Sequence, residues 1–146
     1  CDHIITSPPY GDDLAKEAST VLQHADWSDE YKEQFAKGHE QYGAANQNIG
    51  RLPKFIYNQA MNRVYELMVQ SVKVGGTITI THRDRIEGGK RVLYVDSIVR
   101  TLMKNGCEPY MLDKWKAPGS IQSRVNEKLG NEVVLDEDII CMRRVR

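Results

Sequence analysis

The chain has 146 residues, 40% of them hydrophobic and 27% charged, with 20 Lys and Arg against 20 Asp and Glu. That length supports one domain with a real core, and the composition is that of a globular protein rather than a disordered one. Zero net charge argues for neither a nucleic acid nor a membrane surface as partner, and no apolar run approaches the roughly 20 residues of a membrane span.

His3-Ile4-Ile5-Thr6 is a short β-branched strand that stops at Ser7-Pro8-Pro9, because proline cannot donate to a ladder. The preceding Cys1-Asp2 runs straight into this strand with no initiator Met, as in a piece of a longer chain. Residues 11–52 lack one clean period. Ala15–His24 and Ser28–Lys37 fit short helices, the second capped by Ser28, and the Gly-, Asn- and Gln-rich stretch from Gly38 to Pro53 reads as loop. So long a connection is expected to be a lid or binding insert. It is also acidic: residues 11–48 hold eight acids and three bases, whereas 49–146 hold 17 bases and 11 acids. The basic part fits either an anionic partner or an ordinary solvated surface.

From Pro53 the pattern is helical. Ile56, Ala60, Val64, Leu67, Met68 and Val72 make one apolar stripe, with Gly75-Gly76 as its stop. Thr77–Thr81 alternates with period two and is a strand. His82 to Arg91 reads as a basic loop, Val92 to Lys104 as a helix with Val95, Ile98, Val99 and Leu102 on one face, and Glu108 to Trp115 as a strand. A mixed connection over 116–136 leads to a last strand, Asp138–Met142. Helices between strands point to an α/β fold with parallel pairing, and the last two strands, with no clear helix between them, to an antiparallel pair. Trp27 and Trp115 read as packing residues, and Arg143-Arg144-Val145-Arg146 as a solvated tail. The three cysteines, Cys1, Cys107 and Cys141, lack CxxC spacing, and the four histidines lack metal-ligand spacing. No disulfide framework and no metal are expected, and a reducing cytoplasm is the default location.

The most informative segment is Thr6-Ser7-Pro8-Pro9-Tyr10. Ligands of open α/β sheets bind at the C-terminal ends of strands. Two prolines hold the Ser7 and Pro8 carbonyls with little entropy left to lose, the Ser7 hydroxyl adds an acceptor, and Tyr10 adds a flat ring. Such a set suits a planar ligand bearing an amino group; the plain alternatives are a strand terminator or a proline-rich ligand for another domain.

Ile4-Ile5-Thr6-Ser7-Pro8-Pro9-Tyr10-Gly11-Asp12 resembles the catalytic motif of S-adenosylmethionine-dependent DNA methyltransferases acting on exocyclic amines, the N4-cytosine and N6-adenine enzymes. Val74-Gly75-Gly76-Thr77-Ile78-Thr79-Ile80 is similar to that family's helix, Gly-Gly turn and central strand, and Glu137–Arg143 to its last strand. The resemblance implies a Rossmann-like methyltransferase fold, of which residues 1–146 are the catalytic-motif half with 11–52 as insert or lid. It also implies S-adenosylmethionine as cofactor and DNA with a flipped target base as substrate, as in restriction-modification systems. By the same resemblance Ser7 and the Pro8 carbonyl accept from the target amine, Pro9 completes the rigid turn, and Tyr10 stacks on the base. Serine at the first motif position is more frequent among the N4-cytosine enzymes and is compatible with adenine.

One departure is plain. The resemblance would put a Gly-rich cofactor-binding turn after the family's first strand, and none precedes Ser7, so the cofactor-binding half is expected outside this chain, its strands coming from the rest of the protein, a second chain or a second copy. The strand at 3–6 is then an apolar edge beside 77–81, with the terminal strand between 77–81 and 108–115. Arg83, Arg85, Lys90 and Arg91, following the central strand, are candidates for DNA phosphate contacts, the alternative being a solvated loop. Other readings keep the chemistry on RNA or a protein amide, or make the chain a catalytically silent half-domain that presents DNA to a partner subunit.

Overall fold

The computed structural model describes residues 1–9, 26–34, 49–52, 54–87, 89–116 and 121–146. The helix expected at 15–24, Tyr10 and most of the 11–52 insert lie outside these residues. The elements in chain order are β1 (His3–Thr6), α1 (Lys54–Ser71), β2 (Thr77–His82), β3 (Arg85–Glu87), β4 (Lys90–Val92), α2 (Tyr94–Lys104), β5 (Cys107–Lys116), α3 (Ile121–Lys128) and β6 (Asp136–Arg144). A 3-10 turn spans Ile49–Arg51, and residues 29–34 are helical, with the Ser28 hydroxyl accepting from the Tyr31 amide at 3.3 Å as an N-cap does.

The chain divides into two compact units, Cys1–Pro8 with Met61–Pro118 and Glu132–Arg146, and Pro9–Ala60 with Gly119–Asn131. The first unit is built on a four-stranded sheet of order β1-β2-β6-β5. β1 and β2 are parallel, with Thr6 opposite Ile80, and β6 is antiparallel to both of its neighbours, β2 and β5. The terminal strand therefore sits where the sequence reading puts it. Along β2, Ile78, Ile80 and His82 are buried and the threonines between them half-buried. Ile78 and Ile80 lie opposite Met142 and Ile140, and all four are fully buried. Ile98 and Leu102 of α2 complete this core with Met61, Tyr65, Val69 and Val72. The expected stripe on α2 is thus confirmed at its two deepest positions.

Several expectations are corrected. Of the stripe chosen for α1, Val72 just past the helix end is fully buried as expected, but Ile56 and Leu67 are exposed, and the helix itself buries Tyr57, Met61, Tyr65 and Val69, an i, i+4 ladder. Tyrosine and methionine carry as much apolar surface as the residues counted on the neighbouring stripe. The loop at 82–91 is instead a hairpin, β3 pairing with β4 through Arg85↔Val92 and Glu87↔Lys90, so Val92 ends a strand and α2 starts two residues later. The connection over 116–136 contains α3, and β5 and β6 are still antiparallel. Trp115 is exposed on β5, while Trp27 is half-buried and packs edge-on against Tyr31 with ring centroids 5.0 Å apart. The C-terminal tail is anchored: Arg144 Nη1 donates to the Gln70 and Val72 carbonyls, and the Arg143 guanidinium lies 4.0 Å over the Tyr110 ring.

β1 and β5 are the sheet's edges, and β5 carries Pro109 with a register shift between Pro109 and Met111. Proline is tolerated there because an edge strand has one side without ladder bonds. At the other edge Ile5 is 82% exposed. Gly75-Gly76 closes α1 for a steric reason. Gly75 has φ +84°, and a Cβ on Gly76 would collide with the Asp2 carbonyl and the Val72 side chain. No helix among the described residues is long and apolar enough to cross a membrane.

Candidate functional site

The Ser7-Pro8-Pro9 segment leaves the C-terminal end of β1, one residue beyond the Thr6–Ile80 pair that ends the parallel ladder. Ser7 is exposed, Pro8 buried and Pro9 half-buried. Exposure leaves the Ser7 hydroxyl open to a ligand, and burial of Pro8 anchors the backbone of the turn that carries it. Pro9 is held from further down the chain: the Tyr57 hydroxyl, on the first turns of α1, donates to its carbonyl at 2.6 Å. Tyr57 falls outside the apolar stripe expected for α1. Its signal lies in the Tyr57-Met61-Tyr65-Val69 ladder, which the stripe one position away conceals.

The same end of the sheet carries a second group of side chains, brought together by β2, the hairpin, α2, β5 and β6. Asp84, 5% exposed, accepts from the Val95 backbone amide at 3.1 Å through Oδ1 and from Arg91 Nε at 2.9 Å through Oδ2. It caps α2 from outside the helix, at the end where a carboxylate is favoured. Arg91 also reaches Asp136, whose Oδ2 takes a further bond from Lys114 Nζ at 2.9 Å, and Lys114 in turn lies 3.3 Å from Asp138. The hydrogen bonds from Lys114 and Arg91 hold the Asp136 carboxyl at about 2, below the usual carboxylate range.

His82 ends β2 opposite Asp138 and is 2% exposed. Its Nδ1–H donates to the Arg83 carbonyl at 2.8 Å, which leaves Nε2 as the acceptor of a neutral ring. Burial pushes its pKa below the ordinary imidazole value, against the opposing pull of that hydrogen bond. The ring stacks on Tyr94, whose hydroxyl donates to Glu87 at 2.9 Å and whose face lies 4.2 Å beneath the Arg85 guanidinium.

The four basic candidates therefore differ in setting. Arg85 is only 10% exposed in its side chain, lying over Tyr94 and 3.6 Å from Glu87, and Arg91 is shared between Asp84 and Asp136. Arg83 is half-buried and Lys90 exposed on the hairpin. Hairpin and motif stand at the ends of strands that point the same way. Among the described residues no group of three or more His, Cys, Asp or Glu is placed to hold a metal ion.

No family model and no curated protein matches the chain. Solved structures do: a candidate DNA modification methylase of Thermus thermophilus aligns over 99% of this chain and 46% of its own, at 19% identity and a TM-score of 0.50. Its selenomethionine form aligns over 99% and 44% at 16% identity and 0.49, and its complex with S-adenosyl-L-methionine over 99% and 54% at 19% identity and 0.44. The chain spans about half the length of these structures. The likeness at a TM-score of 0.50 is one of fold, and it agrees with the Rossmann-like α/β arrangement expected from the sequence.

Proposed function

We propose that this chain is the catalytic-motif half of an S-adenosylmethionine-dependent methyltransferase acting on an exocyclic amino group in DNA, N4 of cytosine or N6 of adenine. The observation that carries the reading is the exposed Ser7 on the buried Pro8 turn, at the C-terminal end of a strand paired in parallel with β2. Strand ends of this kind are the ligand-binding edge of open α/β sheets. The shared fold with a candidate DNA modification methylase supports it.

In this reading the Ser7 hydroxyl and the Pro8 carbonyl accept hydrogen bonds from the target amine. The two acceptors would aim the nitrogen lone pair and stabilise the positive charge growing on nitrogen as its bond to the methyl carbon formed and the carbon–sulfur bond broke, the methylated amine then releasing a proton to solvent. Bound S-adenosylmethionine would supply an electrophilic methyl group on a sulfonium. The described residues fit the amine side of this reaction, and none of them is assigned to hold the cofactor. Tyr10 stacks on a base turned out of the duplex, because the amine is out of reach inside it. Lys90 and Arg83 contact DNA phosphates, while Arg85 and Arg91 shape the hairpin that carries them. β1, with Ile5 exposed, takes its missing neighbour strand from the rest of the protein or from another chain.

The test is transfer of a labelled methyl group from S-adenosylmethionine to duplex DNA by the complete protein, followed by nucleoside analysis. N4-methylcytosine or N6-methyladenine is the expected product. Label found only in RNA or in protein would replace DNA as the substrate, and the absence of label from every acceptor would sink the reading.

A further inference from the structure

A cleft of about 270 Å³ opens between α2 and the strands β5 and β6, wholly within the first compact unit. Val95 and Val99 of α2, Leu112 of β5, and Ile139 and Ile140 of β6 give it apolar walls. It has room for about nine water-sized groups, which limits a ligand to a short chain. Apolar walls alone would suit a hydrocarbon, but the charges around them do not. Asp84, Asp96, Asp113 and Asp138 line the cleft against one base among the described residues, Lys114. The ion-pair partners outside it are Arg91, Arg100 and Asp136, so five carboxylates meet three cations and negative charge stays in excess.

Asp138 is where that excess is least answered. Its side chain is only 13% exposed, and its Oδ1 lies 3.3 Å from Lys114 Nζ. Its Oδ2 is buried and has no hydrogen-bond partner among the described residues. A buried carboxylate oxygen without a donor is costly and calls for one. A water molecule can donate, yet it brings neither positive charge nor a match for the walls. Lys114 shows what matches both: an ammonium on an aliphatic stem, lining the cleft and bonding Asp136 at 2.9 Å as it pairs with Asp138. That side chain is 60% exposed, so it can turn out into water when another cation takes its place. We propose that the cleft binds a short aliphatic amine, whose ammonium donates to Asp138 and whose hydrocarbon chain lies against Val95, Val99, Leu112 and Ile139. The site uses neither Ser7 nor Pro8, so it stands or falls apart from the amino-methylation reading.

Titration of the complete protein with n-pentylamine at neutral pH and low salt tests the proposal, with calorimetry for affinity and methyl NMR for location. A dissociation constant of about 1 mM or tighter is expected, with shifts at the Val95, Val99 and Leu112 methyls. The neutral twin 1-pentanol is expected to bind at least about tenfold more weakly, because it lacks the charge-assisted bond. Asp138→Asn, which keeps the shape and removes the charge, should weaken the amine by about tenfold. Lys114→Ala, which removes the competing ammonium, should tighten it by about threefold or more. No binding below about 10 mM, shifts confined to methyls elsewhere, or equal affinity for the alcohol would each overturn the proposal. So would wild-type amine affinity in Asp138→Asn, or binding in Lys114→Ala no tighter than in wild type. Should Asp138→Asn fail to fold, the comparison of amine with alcohol decides on the wild-type protein.

Discussion

Arg91 and Asp136 are 45 positions apart in the chain and are joined at 3.0 Å, Arg91 Nη2 donating to Asp136 Oδ2. Through its Nε the same guanidinium holds Asp84, which in turn caps α2 at Val95. One side chain thereby ties the hairpin, the start of α2 and the start of β6 together at the end of the sheet from which the motif also departs. A planar guanidinium with five donors suits this task, and a lysine could not replace it.

Arg91→Ala is expected to lower stability by about 2 kcal/mol, because it leaves the buried Asp84 carboxylate with a single donor. That figure lies below the usual penalty for splitting a buried pair, since the Arg91 side chain is 34% exposed. Arg91→Lys should recover less than half of the loss. Urea unfolding at neutral pH measures both, and a change under about 0.5 kcal/mol for Arg91→Ala would refute the bracing role.

Acid should destabilise the fold in two steps. His82 has a folded pKa depressed below 6.5 by burial, so its contribution is present above 6.5 and fades as pH falls below it. The charged groups around it, Arg83, Asp84 and Arg85, divide in sign, with the two arginines opposing its protonation. Asp136 falls from 3.8 to about 2, so its contribution is present above 3.8 and is lost between 3.8 and about 2. Thermal melts across pH 2 to 8 should show Asp136→Asn flattening the lower window and His82→Gln the upper one. Wild-type slopes in both variants would refute these assignments.

Ser7→Ala should reduce methyl transfer by about a hundred- to a thousandfold, the loss seen when one preorganised polar group at a reacting centre is removed. Ser7 is exposed and adds little to packing, so the melting temperature should stay within about 2 °C of wild type. Turnover at the wild-type rate would remove Ser7 from the site.

The edge at β1 should make the isolated 146-residue chain associate. Ile5 is 82% exposed, and no lysine in His3–Thr6 guards the strand. Sedimentation at tens of micromolar is expected to show self-association that Ile5→Lys reduces. A clean monomer for the unmodified chain would show that the edge is already protected.

Much of the architecture was legible in the sequence because periodicity is a local property. The alternation in Thr77–Thr81 and the 3.6-residue pattern in Val95–Leu102 identify β2 and α2, and prolines and glycines end β1 and α1 where the backbone demands it. The Ser7-Pro8-Pro9 turn was legible for the same reason, since two consecutive prolines act on their own backbone. Tertiary structure decided what depends on a distant partner. On α1 two apolar stripes lie one residue apart, Ile56-Ala60-Val64-Leu67-Met68-Val72 and Tyr57-Met61-Tyr65-Val69; the second is the one buried along the helix, and of the first Val72 alone, past the helix end, is fully buried. A helix turns by about 100° per residue, so the choice rests on which stripe its neighbours cover. The basic run at 83–91 looked like free charge until the fold set Asp84, Asp136 and Tyr94 against Arg91 and Arg85. A charge is a local fact, and whether it is exposed or neutralised depends on which carboxylate folding brings within about 3 Å of it.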